Sequence, residues 1–270
     1  MKRKAPLAAI SCVALCSTGA AQAEPVDVEL FLAVDVSGSM RGDELRLQRD
    51  GYVAALRSPE VVRAIEGGLH GKVAVTYVEW ARDTSQKVIV PWRVIATQAD
   101  ADAFAKALLA APVDNMRNTS ISGAIATGQA AFRNNGFEGD RLVIDVSGDG
   151  PNNQGAPVND ARDAALAEGI SINGLPIKVN GWPEGRAFGF DGLESYYKAC
   201  VTGGPLSFVI PVADWQQFPM AVRQKLVLEL SGRMPDMPAR VVPAQAAPLQ
   251  QGNGEPDCQV GEKLRRISDW

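Results

Sequence analysis

Histidine is nearly missing from this sequence: His70 is the only one in 270 residues. A Ser-His-Asp or Cys-His hydrolase would have to build on that one residue, and a His-rich zinc site is not available. His70 sits in a Gly67-Gly68-Leu69-His70-Gly71 turn and reads as a surface loop residue. Cysteine is scarce too, at four, which excludes a disulfide-dense small scaffold. Cys12 and Cys16 fall in the N-terminal apolar stretch, leaving Cys200 and Cys258. Long apolar runs are also lacking. Only the stretch from Ala5 to about Ala20 is sustained, and it is shorter than the ~18 residues a membrane span needs. Basic excess is absent as well. The formal net charge is −4, so nothing offsets phosphate repulsion and nucleic-acid binding is not expected.

What is present begins with an export signal. Lys2, Arg3 and Lys4 precede the apolar stretch, and Ala21-Gln22-Ala23 fits the small-x-small cleavage rule. Residues 1–23 therefore read as a secretory signal peptide, which puts the protein in the periplasm or outside the cell. Leu15 before Cys16 stands where a lipoprotein signal wants a small residue, so no lipid anchor is expected. In an oxidising compartment the two remaining cysteines, Cys200 and Cys258, are expected to pair.

From Val28 to about Leu230, short apolar runs alternate with amphipathic stretches. Strands are expected over Val28–Val34, Val73–Trp80, Gln86–Val90, Leu142–Val146, Ile170–Ile177 and Phe208–Val212. Helices are expected over Glu44–Leu56, after Ser58-Pro59, and over Asp100–Leu109 and Ser122–Phe132. Further helices are expected over Asn159–Glu168, Gly192–Ala199 and Trp215–Leu230. Asn159 reads as a helix cap, Gly169 as a helix stop, and Glu44 and Asp50 as residues of a solvated helix face. The second and third strands read as an antiparallel hairpin. Strands alternating with helices predict one α/β domain, 24–230, with a mostly parallel sheet covered on both faces. From Ser231 the prolines at 235, 238, 243, 248 and 256 predict an extended tail, 231–270.

In open α/β sheets, ligands bind beyond the carboxyl ends of the strands. After the first strand come Asp35, Ser37 and Ser39, whose spacing points all three the same way. Asp149 follows the Leu142 strand. Thr119 lies in Asn118-Thr119-Ser120, just before a helix. Two carboxylates and three hydroxyls are hard oxygen donors that suit Mg²⁺, Mn²⁺ or Ca²⁺. Each could instead be a turn or cap residue, but the strand–ligand order across three segments favours a metal site. Tyr196-Tyr197 and Trp182 read as core or edge packing rather than a recognition surface.

The stretch Phe31-Leu32-Ala33-Val34-Asp35-Val36-Ser37-Gly38-Ser39-Met40, with Thr119 and Asp149-Gly150, resembles the von Willebrand factor A (vWA) domain and its metal-ion-dependent adhesion site. More narrowly, the sequence resembles the DUF1194 group of exported bacterial proteins. That likeness is carried by Val78-Glu79-Trp80, Ser120-Ile121-Ser122-Gly123-Ala124-Ile125 and Asp145-Val146-Ser147-Gly148-Asp149-Gly150-Pro151-Asn152-Asn153. Ile172-Asn173-Gly174-Leu175-Pro176-Ile177, Gly203-Gly204-Pro205 and Cys258-Gln259-Val260-Gly261-Glu262 carry it further. The resemblance implies a Rossmann-like vWA fold with one antiparallel edge strand. It implies Ser37 and Ser39 as direct metal ligands, Asp35 and Asp149 acting mostly through water, and Thr119 switching between the two modes. It implies a protein partner whose carboxylate completes the metal shell. One departure is Gly148, where the pattern usually has Thr or Ser directly before the second aspartate. Asp145, inside the strand, reads as a paired polar residue or a support for the loop.

The sequence thus points to an exported binding protein rather than an enzyme. A phosphoesterase-like metal hydrolase using the same oxygen cluster is the competing class. A periplasmic solute-binding protein is a weaker rival, because only one lobe is evident. The export reading predicts a mature terminus at Glu24. Intact-mass measurement of the exported protein should show loss of residues 1–23, and a mass retaining them would reject the cleavage site.

Overall fold

The computed structural model describes residues 23–178, 192–231, 242–243 and 256–268. Residues 1–22, where the export signal is expected, Trp182 and much of the Pro-rich tail lie outside the described residues. Strand β1 (Glu24–Asp35) lies inside the sheet. It pairs in parallel with β2 (Val73–Trp80) on one side and β4 (Phe137–Gly148) on the other. Beyond β2 lies β3 (Gln86–Ile95), antiparallel to it, so the expected hairpin forms the antiparallel edge. Beyond β4 come β5 (Ser171–Pro176) and the short β6 (Phe208–Val209), both parallel. A two-residue strand from the tail, β7 (Val242–Pro243), adds antiparallel to β6. The seven strands are ordered β3-β2-β1-β4-β5-β6-β7.

Both sheet faces are covered, as the nearly continuous apolar runs require. Along β1, Val28, Leu30, Leu32 and Val34 face one core, and Phe31 and Ala33 face the other. The first core is closed by α1 (Gly42–Leu56), α2 (Pro59–Glu66), α3 (Gln98–Ala110) and α7 (Phe218–Ser231). The second is closed by α4 (Ile121–Ala131), α5 (Val158–Ala167), α6 (Leu193–Tyr196) and α8 (Val260–Ser268). Helix α6 runs on as a π-helical turn, Tyr197–Val201. None of these helices is long and apolar enough to cross a membrane.

Local chemistry sets the helix starts. Ser58 accepts from Val61 N–H with Pro59 in the first turn, and Thr97 forms a capping box with Asp100. Four readings change. Helix α4 starts at Ile121 because Ser120 caps it, accepting from Gly123 N–H at 3.1 Å. Helix α5 starts after Pro157, whose φ is −54°, and not at Asn159, whose side chain donates to Asp160 instead. Glu44 is buried rather than solvated. It accepts from Arg41 N–H at 2.8 Å and from Trp215 Nε1 at 3.2 Å. The tail is not extended throughout, since α8 forms once the prolines end at Pro256.

Strand β3 continues through Pro91 because an edge strand has no outer partner to lose. Cys200, in the π-helical turn, is bonded to Cys258 just before α8, which ties the tail to the domain. Removing this bridge with the Cys200→Ser/Cys258→Ser pair should lower unfolding stability by about 4 kcal/mol on the chain-entropy argument. A urea midpoint unchanged from the oxidised protein would contradict it.

Candidate metal centre

The sheet order reverses between β1 and β4. The chain leaves β1 toward α1 on one face and β4 toward α5 on the other. That divergence opens a crevice at the carboxyl edge, where open α/β sheets bind ligands. Asp35 ends β1 and is fully buried. Val36 N–H still reaches Trp80 O, at 2.9 Å, before the chain turns away. Ser37 N–H then donates to Asp35 Oδ1 at 2.7 Å, which folds the loop back over the carboxylate. The Ser37 and Ser39 hydroxyls lie 3.1 Å apart, and Ser39 Oγ donates to Asp149 Oδ1 at 2.7 Å. Asp35, Ser37, Ser39 and Asp149 are therefore one hydrogen-bonded cluster. Ser39 is exposed, while the other three are buried, so the cluster opens to solvent on one side.

Thr119 is tied by its backbone to the loop that follows Asp149. Its N–H donates to Asn153 Oδ1 at 3.0 Å and its carbonyl accepts from Asn153 N–H at 2.9 Å. Ser122 N–H donates to Asn152 Oδ1 at 3.0 Å. These two asparagines lace the Thr119 loop to the Asp149 loop. Asn152 is gripped in turn from the tail, donating from Nδ2 to Glu262 Oε1 at 2.7 Å. The sequence stretch containing Asn152 and Asn153 was visible as a family feature, but its bracing role was not.

Burial, and then repulsion from Asp149, push the Asp35 carboxyl well above the usual carboxylate range; hydrogen bonds from Ser37 oppose this. Asp35 Oδ2 is buried with no hydrogen-bond partner among the described residues. A carboxylate in that position is stabilised by a cation. The residues present, two carboxylates and the hydroxyls of Ser37, Ser39 and Thr119, fit a hard divalent ion.

Asp145 lies outside this cluster because of strand alternation. Ile144 and Val146 face the second core, and Asp145 faces the first. There it meets the buried Lys225 of α7, which also contacts Glu229 at 2.5 Å. Asn173 Nδ2 donates to Glu229 Oε1 at 2.9 Å. Another group of potential ligands, Asp27, His70 and Asp140, has its ligand atoms within 4.8 Å of one another. It lies at the opposite end of β1, eight residues and so about 26 Å from Asp35 at ~3.3 Å per residue. There Asp27 braces the loop, accepting from His70 N–H at 2.8 Å and Lys72 N–H at 3.1 Å, and His70 faces Asp140 at 3.4 Å.

The sequence profile described as "Protein of unknown function (DUF1194)" matches residues 25–234. The chain belongs to the DUF1194 family. Its fold is that of vWA domains. Proximal thread matrix protein 1 from the mussel byssus, solved with a zinc-occupied MIDAS motif, superposes with a TM-score of 0.55 at 18% identity. That match covers 78% of this chain and 49% of the mussel chain. A von Willebrand factor type A protein from Catenulispora acidiphila gives 0.51 at 14% identity, over 77% and 43% of the two chains. The pilus adhesin SpaC from Lactobacillus rhamnosus GG gives 0.53 at 13%, over 78% and 32%. The DUF1194 chain thus spans about half or less of the length of these structures, and the likeness is one of fold. No protein of curated function matches its sequence.

The buried ion group makes a pH prediction. Burial outweighs Lys225 and, with repulsion from Glu229, pushes Asp145 from 3.8 up to about 7. A raised carboxyl stabilises the fold while protonated, and that contribution is lost as pH climbs through the folded value. Between pH 4 and 7, wild type should therefore lose stability relative to Asp145→Asn, at no more than about 1.4 kcal/mol per pH unit. Parallel stability–pH curves for the two proteins would reject the shift.

Proposed function

We propose that this DUF1194 protein is an exported binding module that holds a divalent cation and uses it to bind a carboxylate on a protein partner. Asp35, Ser37, Ser39, Thr119 and Asp149 would hold the ion, with Mg²⁺ as the expected species and Mn²⁺ or Ca²⁺ as substitutes. One observation carries this reading: residues 110 positions apart, Ser39 and Asp149, close a hydrogen-bonded oxygen cluster with one exposed side. When bound, the ion supplies Lewis acidity toward an outside oxygen ligand. Three neutral hydroxyls leave much of its charge uncompensated, which favours an anionic ligand.

The hydrolase reading has less support. A general base must reach the reacting atoms, and the only histidine sits at the far end of β1. Export is supported by the basic–apolar N-terminus together with the Cys200–Cys258 bridge, which suits an oxidising compartment. The mussel and Lactobacillus structures are a thread matrix protein and a pilus adhesin, both compatible with a binding role outside the cytoplasm.

Titration with Mg²⁺ or Mn²⁺ tests the site. At a free cation concentration tenfold above Kd, linkage should stabilise the fold by about 1.4 kcal/mol, seen as a modest rise in Tm. Asp35→Ala should abolish that rise while keeping the circular dichroism of the wild type. No saturable binding by calorimetry, or equal binding by Asp35→Ala, would overturn the reading.

A further inference from the structure

Gly148 closes β4 beside Asp35. The β1–β4 register pairs Val34 with Ser147 and brings the two strand ends together. By strand alternation, position 148 shares a face with Ile144 and Val146, and Asp35 shares one with Phe31 and Ala33. These are the same face. The backbone at 148 is an ordinary strand, which any residue accepts. The neighbours refuse a side chain there. A Cβ on residue 148 would stand 2.7 Å from the Tyr197 hydroxyl and 2.8 Å from Asp35 Oδ2.

Those two oxygens are both buried, and both are without a hydrogen-bond partner among the described residues. One is a donor and the other an acceptor. An unmet buried polar group costs about 1–3 kcal/mol, so a bridge between the two would satisfy both at once. Tyr197 is also held where it stands. Its ring packs against Gly174, where a Cβ would come within 2.8 Å of Cδ1, and its carbonyl accepts from Thr202 N–H at 2.9 Å. It opens the π-helical turn that contains Cys200, and such turns often mark functional sites.

We propose that Tyr197 is a positioning residue of the cation site: its hydroxyl donates to Asp35 Oδ2 through one water, beside the space that Gly148 leaves open. The inference rests on the cation reading above. A neutral donor suits the task. It orients the carboxylate without cancelling the charge that the ion needs, as a lysine or arginine would. Loss of such an outer support typically costs 10–100-fold in metal affinity.

Mn²⁺ affinity by calorimetry and metal-free melting should be measured on wild type, Tyr197→Phe, Gly148→Ser and the double variant. Tyr197→Phe should weaken Mn²⁺ binding about tenfold or more. Gly148→Ser alone should lower Tm, because its side chain meets the tyrosine hydroxyl. In the Tyr197→Phe background one of the two close contacts is gone and only that with Asp35 Oδ2 remains, so the double variant should melt above Gly148→Ser. Unchanged Mn²⁺ affinity in Tyr197→Phe, or an equal Tm cost of Gly148→Ser in both backgrounds, would overturn the proposal. If wild type binds no Mn²⁺, the cation reading falls, and metal-free melts of Tyr197→Phe, Asp35→Ala and their combination decide the pairing. Non-additive losses support it, and strictly additive ones overturn it.

Discussion

Two carboxylates, Asp35 and Asp149, are buried together at the ends of neighbouring strands, and much of the structure follows from that arrangement. Like charges at close range in a poorly solvated crevice repel, and the upward push on the Asp35 carboxyl expresses the cost. A protein that only needed stability would place apolar groups there. This one instead surrounds the pair with donors. Ser37 N–H serves Asp35, and the Ser39 hydroxyl serves Asp149. Each donor comes from a loop that the reversal of sheet order sends outward at that point.

Such a crevice needs stiff walls, because a loop free to relax would simply separate the charges. The walls are built by hydrogen-bond lacing together with apolar packing, in which Val36 and Met40 of the first loop cluster with Leu45. Asn153 closes a reciprocal pair with Thr119, and Asn152 reaches Ser122, Glu262 and, through its N–H, the Tyr196 hydroxyl at 3.1 Å. The tail therefore acts on the site at one remove. Its helix α8 contacts the Asp149 loop so closely that a Cβ on Gly261 would meet Asn152 O at 2.1 Å. The Cys200–Cys258 bridge fixes that contact to the π-helical turn bearing Tyr197. A disulfide that would be dispensable in a free tail becomes part of how the metal loop is held.

The parts legible in the sequence were those written in short-range periodicity. Val28–Val34 and Val73–Trp80 read as strands because both faces are apolar, and Asp35-x-Ser37-x-Ser39 stood out because it follows one directly. The parts that were hidden depend on partners far along the chain. Glu44 looked solvated until Trp215, 171 residues away, covered it. Lys225 has Glu229 one helical turn on, but nothing local announces Asp145 beside it. Asn159 has the chemistry of a cap, but Pro157 set the helix start two residues earlier. Gly148 was legible only as a departure. Its reason lies in Tyr197, 49 positions on.

Two buried aspartates on neighbouring strands, Asp145 of β4 and Asp35 at the end of β1, are met in opposite ways. Alternation sends Asp145 toward α7, where it meets the buried Lys225 amine within the fold. It sends position 148 to the other face, beside Asp35, where Tyr197 offers a neutral hydroxyl. One carboxyl group thus has a basic partner within the fold, and the other has a buried oxygen without one among the described residues. A slip of one residue in the β1–β4 register would exchange the two faces. It would carry Asp145 toward the crevice and leave Lys225 with Glu229 alone in the core. The extensive parallel pairing of β1 with β4, from Glu24 with Phe137 to Val34 with Ser147, makes such a slip expensive. The same register that stabilises the sheet therefore keeps the structural carboxylate apart from the one available to a ligand.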